Sequence, residues 1–357
     1  MSVTRSLSKF KEPIRQKIEN GSSVSEDTDD PLKALSTYLT QDMAVCNQII
    51  MDQMQSSVQL IPKLAAHLII AGGKRLRPLL TLASARLCGY QPSETRQRHV
   101  LLAACVEFIH TATLLHDDVV DESELRRGEA SANVVFGNQA SVLVGDFLFS
   151  RSFQLMTQEG NLEVMRIMSS ASATIAEGEV MQMTTQNDLS TSKERYLEVI
   201  HGKTAALFAA ACRIGAIVAD HSKDYELSLE KYGTNLGMAF QLVDDALDYS
   251  ADQEIFGKTV GDDFREGKIT LPVLTAYEKA EPDEKAFWER VIEQGKQEEG
   301  DLKHALNLIS KTDAIKVTLA EAAAFAEKAC QALEDFPESQ LKILLQNTAV
   351  YTVNRHF

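Results

Sequence analysis

The chain has 357 residues, enough for one large domain or two ordinary ones. Its 51 acidic side chains outnumber 36 basic ones, for a formal net charge of −15. That balance argues against a general nucleic-acid binder, because phosphate backbones are held by clustered Lys and Arg. A local basic pocket for a small anion stays open. The five cysteines, Cys46, Cys88, Cys105, Cys212 and Cys330, are widely spaced with no C-x-x-C, so they read as buried free thiols rather than a disulfide frame or a metal site. Only 8 prolines occur and strand-like alternation is hard to find, which predicts an all-α protein with a substantial core. The longest apolar runs are too short to span a bilayer.

Residues 1–31 read as a disordered N-terminal tail rich in Ser, Asn, Gly and Asp. Arg5, Lys9, Lys11, Arg15 and Lys17 among serines suggest a mitochondrial presequence, but Glu12 and Pro13 oppose it. A bacterial cytoplasmic setting is therefore expected, with a mitochondrial one as the alternative. The globular domain is expected over 32–357. Pro31 opens a helix that runs through Met54, and a second follows around 62–70.

Next comes Ala71-Gly72-Gly73-Lys74-Arg75-Leu76-Arg77-Pro78, with three cations in four residues framed by Gly-Gly and Pro. Backbone amides at such a junction, with Lys74 and Arg77 three apart on one face, suit an anion site. Arg75 falls on another face. A helix over 96–121 follows, carrying Leu101, Leu102, Cys105, Val106, Ile109, Leu114 and Leu115 at helical spacings. It ends in Asp117-Asp118-Val119-Val120-Asp121. Asp117 and Asp121 lie one turn apart on the same face, where they repel unless a hard cation sits between them. Magnesium suits this, since it takes one or two protein carboxylates and fills its shell with water and phosphate oxygens. His110 lies two turns earlier on roughly the same face, either as a core residue or as a donor to a bound diphosphate. Arg126-Arg127-Gly128 then supplies cations in a short loop.

The aromatic stretch 145–156 holds Phe149, Phe153 and Met156 and lines either core or a greasy tunnel. Residues 163–187 form a further helix, with Glu177, Gly178, Glu179 and Gln182 as polar interruptions. His201-Gly202-Lys203-Thr204 interrupts an apolar helix over 196–219; the cost of a mid-helix Gly suggests that Lys203 neutralises phosphate and Thr204 hydrogen-bonds to it. Phe240-Gln241-Leu242-Val243-Asp244-Asp245-Ala246-Leu247-Asp248 repeats the Asp-Asp-x-x-Asp spacing behind a second apolar run. Two such clusters facing each other across a bundle would hold several metals and, through them, one diphosphate. The loop 253–270 is rich in Gly and charge, as a mobile lid would be, and Lys258 and Lys268 are its candidates to reach over a diphosphate. Residues 281–301 read as a charged surface excursion.

Together these residues resemble the trans-isoprenyl diphosphate synthases over about 32–357, and most of all their long-chain, octaprenyl and decaprenyl, branch. The resemblance rests on Gly72-Gly73-Lys74-Arg75-Leu76-Arg77-Pro78, both acidic clusters, Arg126-Arg127-Gly128, Gly202-Lys203-Thr204 and Phe240-Gln241. It implies a single large helical bundle around a deep central cavity, working as a homodimer. It implies that Lys74, Arg77, His110 and Arg127 hold isopentenyl diphosphate. Asp117 and Asp121, with Asp244 opposite and Asp118 and Asp245 completing the clusters, would bind about three Mg2+ and through them the allylic diphosphate, farnesyl or similar. Arg126, Lys203, Thr204 and Gln241 would contact that partner, and Lys258 its leaving group.

Chain length would be decided below the first cluster. Thr113 and Ala112, four and five residues before Asp117, lie about 6–7.5 Å down the axis. Both are small, where short-chain members of the family place an aromatic floor, so a growing tail is expected to pass. The stop is expected deeper, beyond Ile109, with Phe149, Phe153 and Met156 as candidates, and Ala112→Phe is expected to shorten the product. A geranylgeranyl-type synthase is the nearest alternative. A class I terpene cyclase lacks the second Asp-Asp-x-x-Asp, and a non-catalytic subunit usually lacks both clusters. No nucleic-acid partner is expected; very apolar products suggest transient contact with a membrane surface.

Overall fold

The computed structural model describes residues 30–70, 73–93, 97–126, 128–250 and 260–354, and they are almost entirely helical. Asp30 caps α1 (Pro31–Tyr38): its carboxylate accepts the Leu32 amide at 2.9 Å, and proline's locked φ suits the first turn. The expected single helix through Met54 breaks at Leu39 and resumes as α2 (Thr40–Gln53). Then come α3 (Leu60–Ile70), α4 (Leu76–Leu87) and the central helix α5 (Arg98–Val120). A two-stranded hairpin, β1 (Leu125–Arg126) and β2 (Glu129–Ala130), follows it.

Helix α5 has 23 residues, and an 18-residue stretch of it has a mean hydropathy of 1.4, so by length and composition alone it is long and apolar enough to cross a bilayer, contrary to the expectation from the apolar runs. It is instead a core helix. Leu102, Ala103, Cys105, Val106, Phe108, Ile109, Ala112 and Leu115 are all fully buried, and its neighbours are α4, α2 and the long helix α7 (Asn138–Glu159), which is reached through α6 (Ala132–Phe136). An amphipathic α8 (Leu162–Thr185) comes next, capped by Asn161.

The apolar helix expected over 196–219 is found as three pieces. These are α9 (Lys193–Ile200), a π-helical turn (His201–Ala205) and α10 (Ala206–Val218), every residue of which is buried. Helix α10 lies against α4 and against α11 (Lys223–Leu247), whose last turn carries the second acidic cluster. From Val260 the chain forms α12 (Asp262–Arg265), α13 (Leu271–Glu278) and α14 (Pro282–Trp288), then α15 (Asp301–Lys311), α16 (Ala314–Ala332) and α17 (Gln340–Asn354).

Residues 281–301 are not the surface excursion their charge suggests. Trp288, Val291 and Ile292 are fully buried in a second, smaller core with Tyr249, Phe264, Ile269 and Val273. The charges lie on the outer faces of α14 and the π-helical turn after it, which masks the inward stripe in the sequence. This second core fastens the segment that follows the second acidic cluster. Residues 1–29 of the expected tail, Gly72, Arg127 and Lys258 lie outside the described residues, whereas Asp30 and Pro31 belong to the start of α1.

Candidate active site

A cavity of about 660 Å3 opens between the end of α5, α7, α8 and the 260–270 segment. Asp117, Asp121, Glu179, Gln182, Glu266 and Lys268 line its mouth, and Thr113, Phe149, Ser172, Ile175 and Ala176 line its depth. Two helices explain that gradient. Going back along α5, Asp117 is followed one turn down by Thr113. Going back along α8, Glu179 and Gln182 are followed by Ile175, Ala176 and then Ser172, the same face at i−3, i−4 and i−7. Carboxylates therefore cluster at one end, among the exposed Val120, Val180 and Met183, while small or apolar side chains without charge line the other.

Asp117 is the poorly compensated carboxylate at the mouth. Burial, with Glu179 and Asp121 beside it, pushes the Asp117 carboxyl up to about 7, while Lys203 and Arg126 pull the other way. Lys268 bonds Asp121 at 2.9 Å and also pairs with Glu266, so it bridges the cavity mouth from the 260–270 segment to α5. Burial alone would depress its ammonium, but Asp121, Asp263 and Glu266 hold it above the ordinary lysine range. The segment is clasped in place: Asn187 N–H donates to Gly267 O at 2.9 Å, and Gly267 (φ +67°) has no room for a Cβ against the Asn187 side chain.

The middle aspartate of each cluster turns inward. Asp118 is fully buried and accepts the Arg126 guanidinium on both oxygens, at 2.8 and 2.9 Å from Nε alone. Asp245 is buried too, with Tyr196 Oη donating to one oxygen at 2.5 Å and Gln241 Nε2 to the other at 2.7 Å. Burial and nearby Asp263 push its carboxyl up to about 7. Asp248 accepts the backbone amides of Asp262 and Asp263 at 3.2 and 3.1 Å and so holds α12 to the end of α11. Asp244 is half-exposed, as Asp248 is, and has Asp263 near it.

The Lys203-Thr204 step is presented by the π-helical turn, whose extra residue shifts the register of the helix around it. Close approach makes this work: Gly202 meets Gly178 of α8 so tightly that a Cβ on Gly178 would lie 2.6 Å from Lys203 N. Lys203 Nζ then reaches Gln182 at 3.0 Å and Glu179 at 3.9 Å, at the cavity rim. Thr204 differs from the expectation that it serves a phosphate. Its hydroxyl, almost fully buried, donates to Gln241 Oε1 at 2.7 Å, so that proton is already used.

Arg77 and His110 are brought together, Nη1 to Nε2 at 3.0 Å, with the Arg77 guanidinium 4.5 Å above the Phe208 ring. Lys74 is exposed nearby in sequence, and Arg75 pairs with Glu107 at 3.0 Å. This basic group does not line the cavity. Neither do Ala112 and Ile109, which are fully buried in the core; Thr113 is the wall residue of that turn. Met156 is likewise core, and Phe153, 41% exposed, stacks edge-on against Phe149 from the outside. The expected tunnel wall thus shifts from Ala112, Ile109 and Phe153 to Thr113, Phe149 and the α8 stripe. Sequence reasoning noted Glu179 and Gln182 only as interruptions; their i, i+3 spacing was the available signal. Nothing in the sequence pointed to Tyr196 or Asn187.

Oxygen donors of this kind fit a hard divalent cation. Among the described residues no three His, Cys, Asp or Glu side chains close on one point, so an ion at Asp117 and Asp121 would complete its shell from water and diphosphate, as Mg2+ characteristically does.

The fold and the site together define an isoprenoid-building enzyme: the chain belongs to the polyprenyl synthetase family, whose model matches residues 58–309. It is a prenyltransferase, a polyprenyl diphosphate synthase. It is 45% identical over 324 residues to the octaprenyl diphosphate synthase of Escherichia coli (strain K12), covering 91% of this chain and 99% of that one. Among solved structures it resembles a decaprenyl diphosphate synthase from Rhodobacter capsulatus (51% identity, TM-score 0.86, 91% and 99% of the two chains). It also resembles a polyprenyl synthase from Caulobacter crescentus CB15 complexed with calcium and isoprenyl diphosphate (50%, TM-score 0.87, 91% and 98%).

Proposed function

We propose that this chain condenses isopentenyl diphosphate repeatedly onto an allylic diphosphate primer, with Mg2+, to octaprenyl to decaprenyl length for quinone side chains. It is a long-chain all-trans-polyprenyl diphosphate synthase. The observation that supports this best is the gradient within one cavity, from Asp117 and Asp121 at the mouth to Thr113, Ile175 and Ala176 below. An ionic head is held at one end while an apolar tail grows into the other.

Bound divalent ions would supply Lewis-acid stabilisation of the departing diphosphate, held by Asp117, Asp121 and Asp244. Lys203 and Lys268 add fixed positive charge at the cavity rim, which counts most where water is scarce. Arg77 and His110, with Lys74, would hold isopentenyl diphosphate; His110 lies two turns before Asp117 on roughly the same face of α5. The apolar wall keeps water from the cation-like allylic carbon until the double bond of isopentenyl diphosphate attacks it. The proton then released passes to the leaving diphosphate. No protein nucleophile is required.

Homodimerisation is part of this reading. Val134, Val135, Val142 and Leu143 expose apolar side chains on α6 and α7, the kind of surface a partner copy would cover. The relatives named above are bacterial, which supports a bacterial cytoplasm over a mitochondrion.

The test uses the purified chain alone with labelled isopentenyl diphosphate, farnesyl diphosphate and Mg2+, the products being sized by chromatography. Octaprenyl to decaprenyl products are expected. Accumulation of a geranylgeranyl product would move the chain to the shorter class, and no incorporation would overturn the reading.

A further inference from the structure

We infer that Tyr196, a residue outside both acidic clusters, is a positioning residue that holds the second cluster and the Lys203 turn in one register. The inference rests on the proposed synthase reading. It starts from a chain of short hydrogen bonds linking separate elements. Tyr196 on α9 donates from Oη to Asp245 Oδ2 at 2.5 Å. Asp245 Oδ1 accepts from Gln241 Nε2 at 2.7 Å, one turn back on α11. Gln241 Oε1 accepts from Thr204 Oγ1 at 2.7 Å, in the π-helical turn. The Tyr196 oxygen also lies against the Leu271 amide, where the segment carrying Lys268 enters α13.

Each end of this chain is buried, with Tyr196 at 2% exposure and Thr204 and Asp245 at 5%. With both oxygens engaged, Asp245 cannot rotate towards the cavity without leaving the buried Tyr196 hydroxyl and the half-buried Gln241 amide unmet, which is costly. The last turn of α11 is therefore locked about its own axis. Successive residues on a helix are about 100° apart. Locking Asp245 inward thus sets where its neighbour Asp244 projects. Tyr196 also sits on the helix that runs directly into Lys203, so one phenol ties the metal-facing aspartate to the cation at the rim. Its role is to place groups that touch substrate; it touches none itself.

Tyr196→Phe removes only the hydroxyl. The variant is compared with Tyr232→Phe, which removes an equally buried hydroxyl donating to Leu345 O at 2.8 Å in the distant α11–α17 contact. In Tyr196→Phe, kcat/KM for the allylic diphosphate is expected to fall about 10- to 100-fold, the size of one lost hydrogen bond to a charged group. The Mg2+ concentration for half-maximal rate should rise, while KM for isopentenyl diphosphate stays within about twofold. Without any turnover, the thermal upshift produced by Mg2+ plus inorganic pyrophosphate should shrink. Tyr232→Phe should lower the melting temperature but leave all these ratios at the wild-type values. Because Tyr196 acts through Asp245, Tyr196→Phe combined with Asp245→Asn should be no worse than Asp245→Asn alone. A Tyr196→Phe enzyme with a wild-type pyrophosphate upshift and an unchanged KM ratio overturns the inference, as does strict additivity in the double variant. If wild-type enzyme makes no prenyl product, the synthase reading fails instead, and the pyrophosphate upshift still decides the role of Tyr196.

Discussion

Adjacent aspartates in one motif take opposite jobs. Asp117 faces the cavity, and burial beside Glu179 holds its carboxyl up to about 7; Asp118 faces the protein and is neutralised by Arg126. Asp117→Ala should therefore cut turnover by orders of magnitude while leaving the fold intact, since it removes a charge the fold does not use. Asp118→Ala should do the reverse first. It leaves the Arg126 guanidinium without its buried partner and should cost about 1–3 kcal/mol, read as a lower denaturation midpoint. Near-normal turnover in Asp117→Ala would remove the metal assignment. At the wall, Thr113 is the small residue one turn below Asp117. Thr113→Phe should shorten the products to farnesyl or geranylgeranyl length, and an unchanged spectrum would show that the tail grows elsewhere. Ala112→Phe is a poorer probe than the sequence suggests, because Ala112 is packed in the core and an aromatic ring there overfills it.

Burial at the ends of α5 and α11 raises a set of carboxyls. From an ordinary value of 3.8, burial first and like charge second lift Asp117 and Asp245 to about 7, Asp248 to about 8 and Asp263 to about 6. Between those limits the folded chain keeps protons that the unfolded chain has released. Stability contributed by these groups is complete below their unfolded values and is lost as pH rises through the folded ones. The metal-free protein should therefore melt at progressively lower temperature from about pH 5 to about pH 8. Mg2+ with pyrophosphate should flatten that slope, because a divalent ion favours the ionised carboxylates. Asp42 does not mask the effect. His99 and Arg86 overcome its burial and hold it down to about 2, so its own contribution is lost only in stronger acid. A melting temperature independent of pH across this window would contradict the crowding of charge at the helix ends.

At the scale of the whole molecule there are two cores with different tasks. The larger one wraps α5 and α10; the smaller one, around Trp288, supports α12 and the segment that carries Lys268 to Asp121. Phe264 of α12 stacks edge-on to Trp288 with ring centroids 6.4 Å apart. Trp288→Ala should cost about 3–5 kcal/mol as a cavity in that core. Because the segment over the mouth is anchored there, the KM for allylic diphosphate should also rise. A stable variant with normal KM would show that the smaller core is independent of the site.

The all-helical class, the paired acidic clusters and the basic Lys74–Arg77 turn were legible in the sequence because each is local: periodicity and spacing on one helix determine which residues share a face. What folding alone decided was direction across helices. Spacing does not distinguish Asp117 from Asp118, nor show that Thr204 gives its proton to Gln241, nor place Ala176 rather than Ala112 in the wall. Charge on the surface of 281–301 concealed Trp288 in the same way, since an outward polar face says little about the inward one. Those outcomes depend on which helix lies opposite, and that is set by packing among segments distant in the chain.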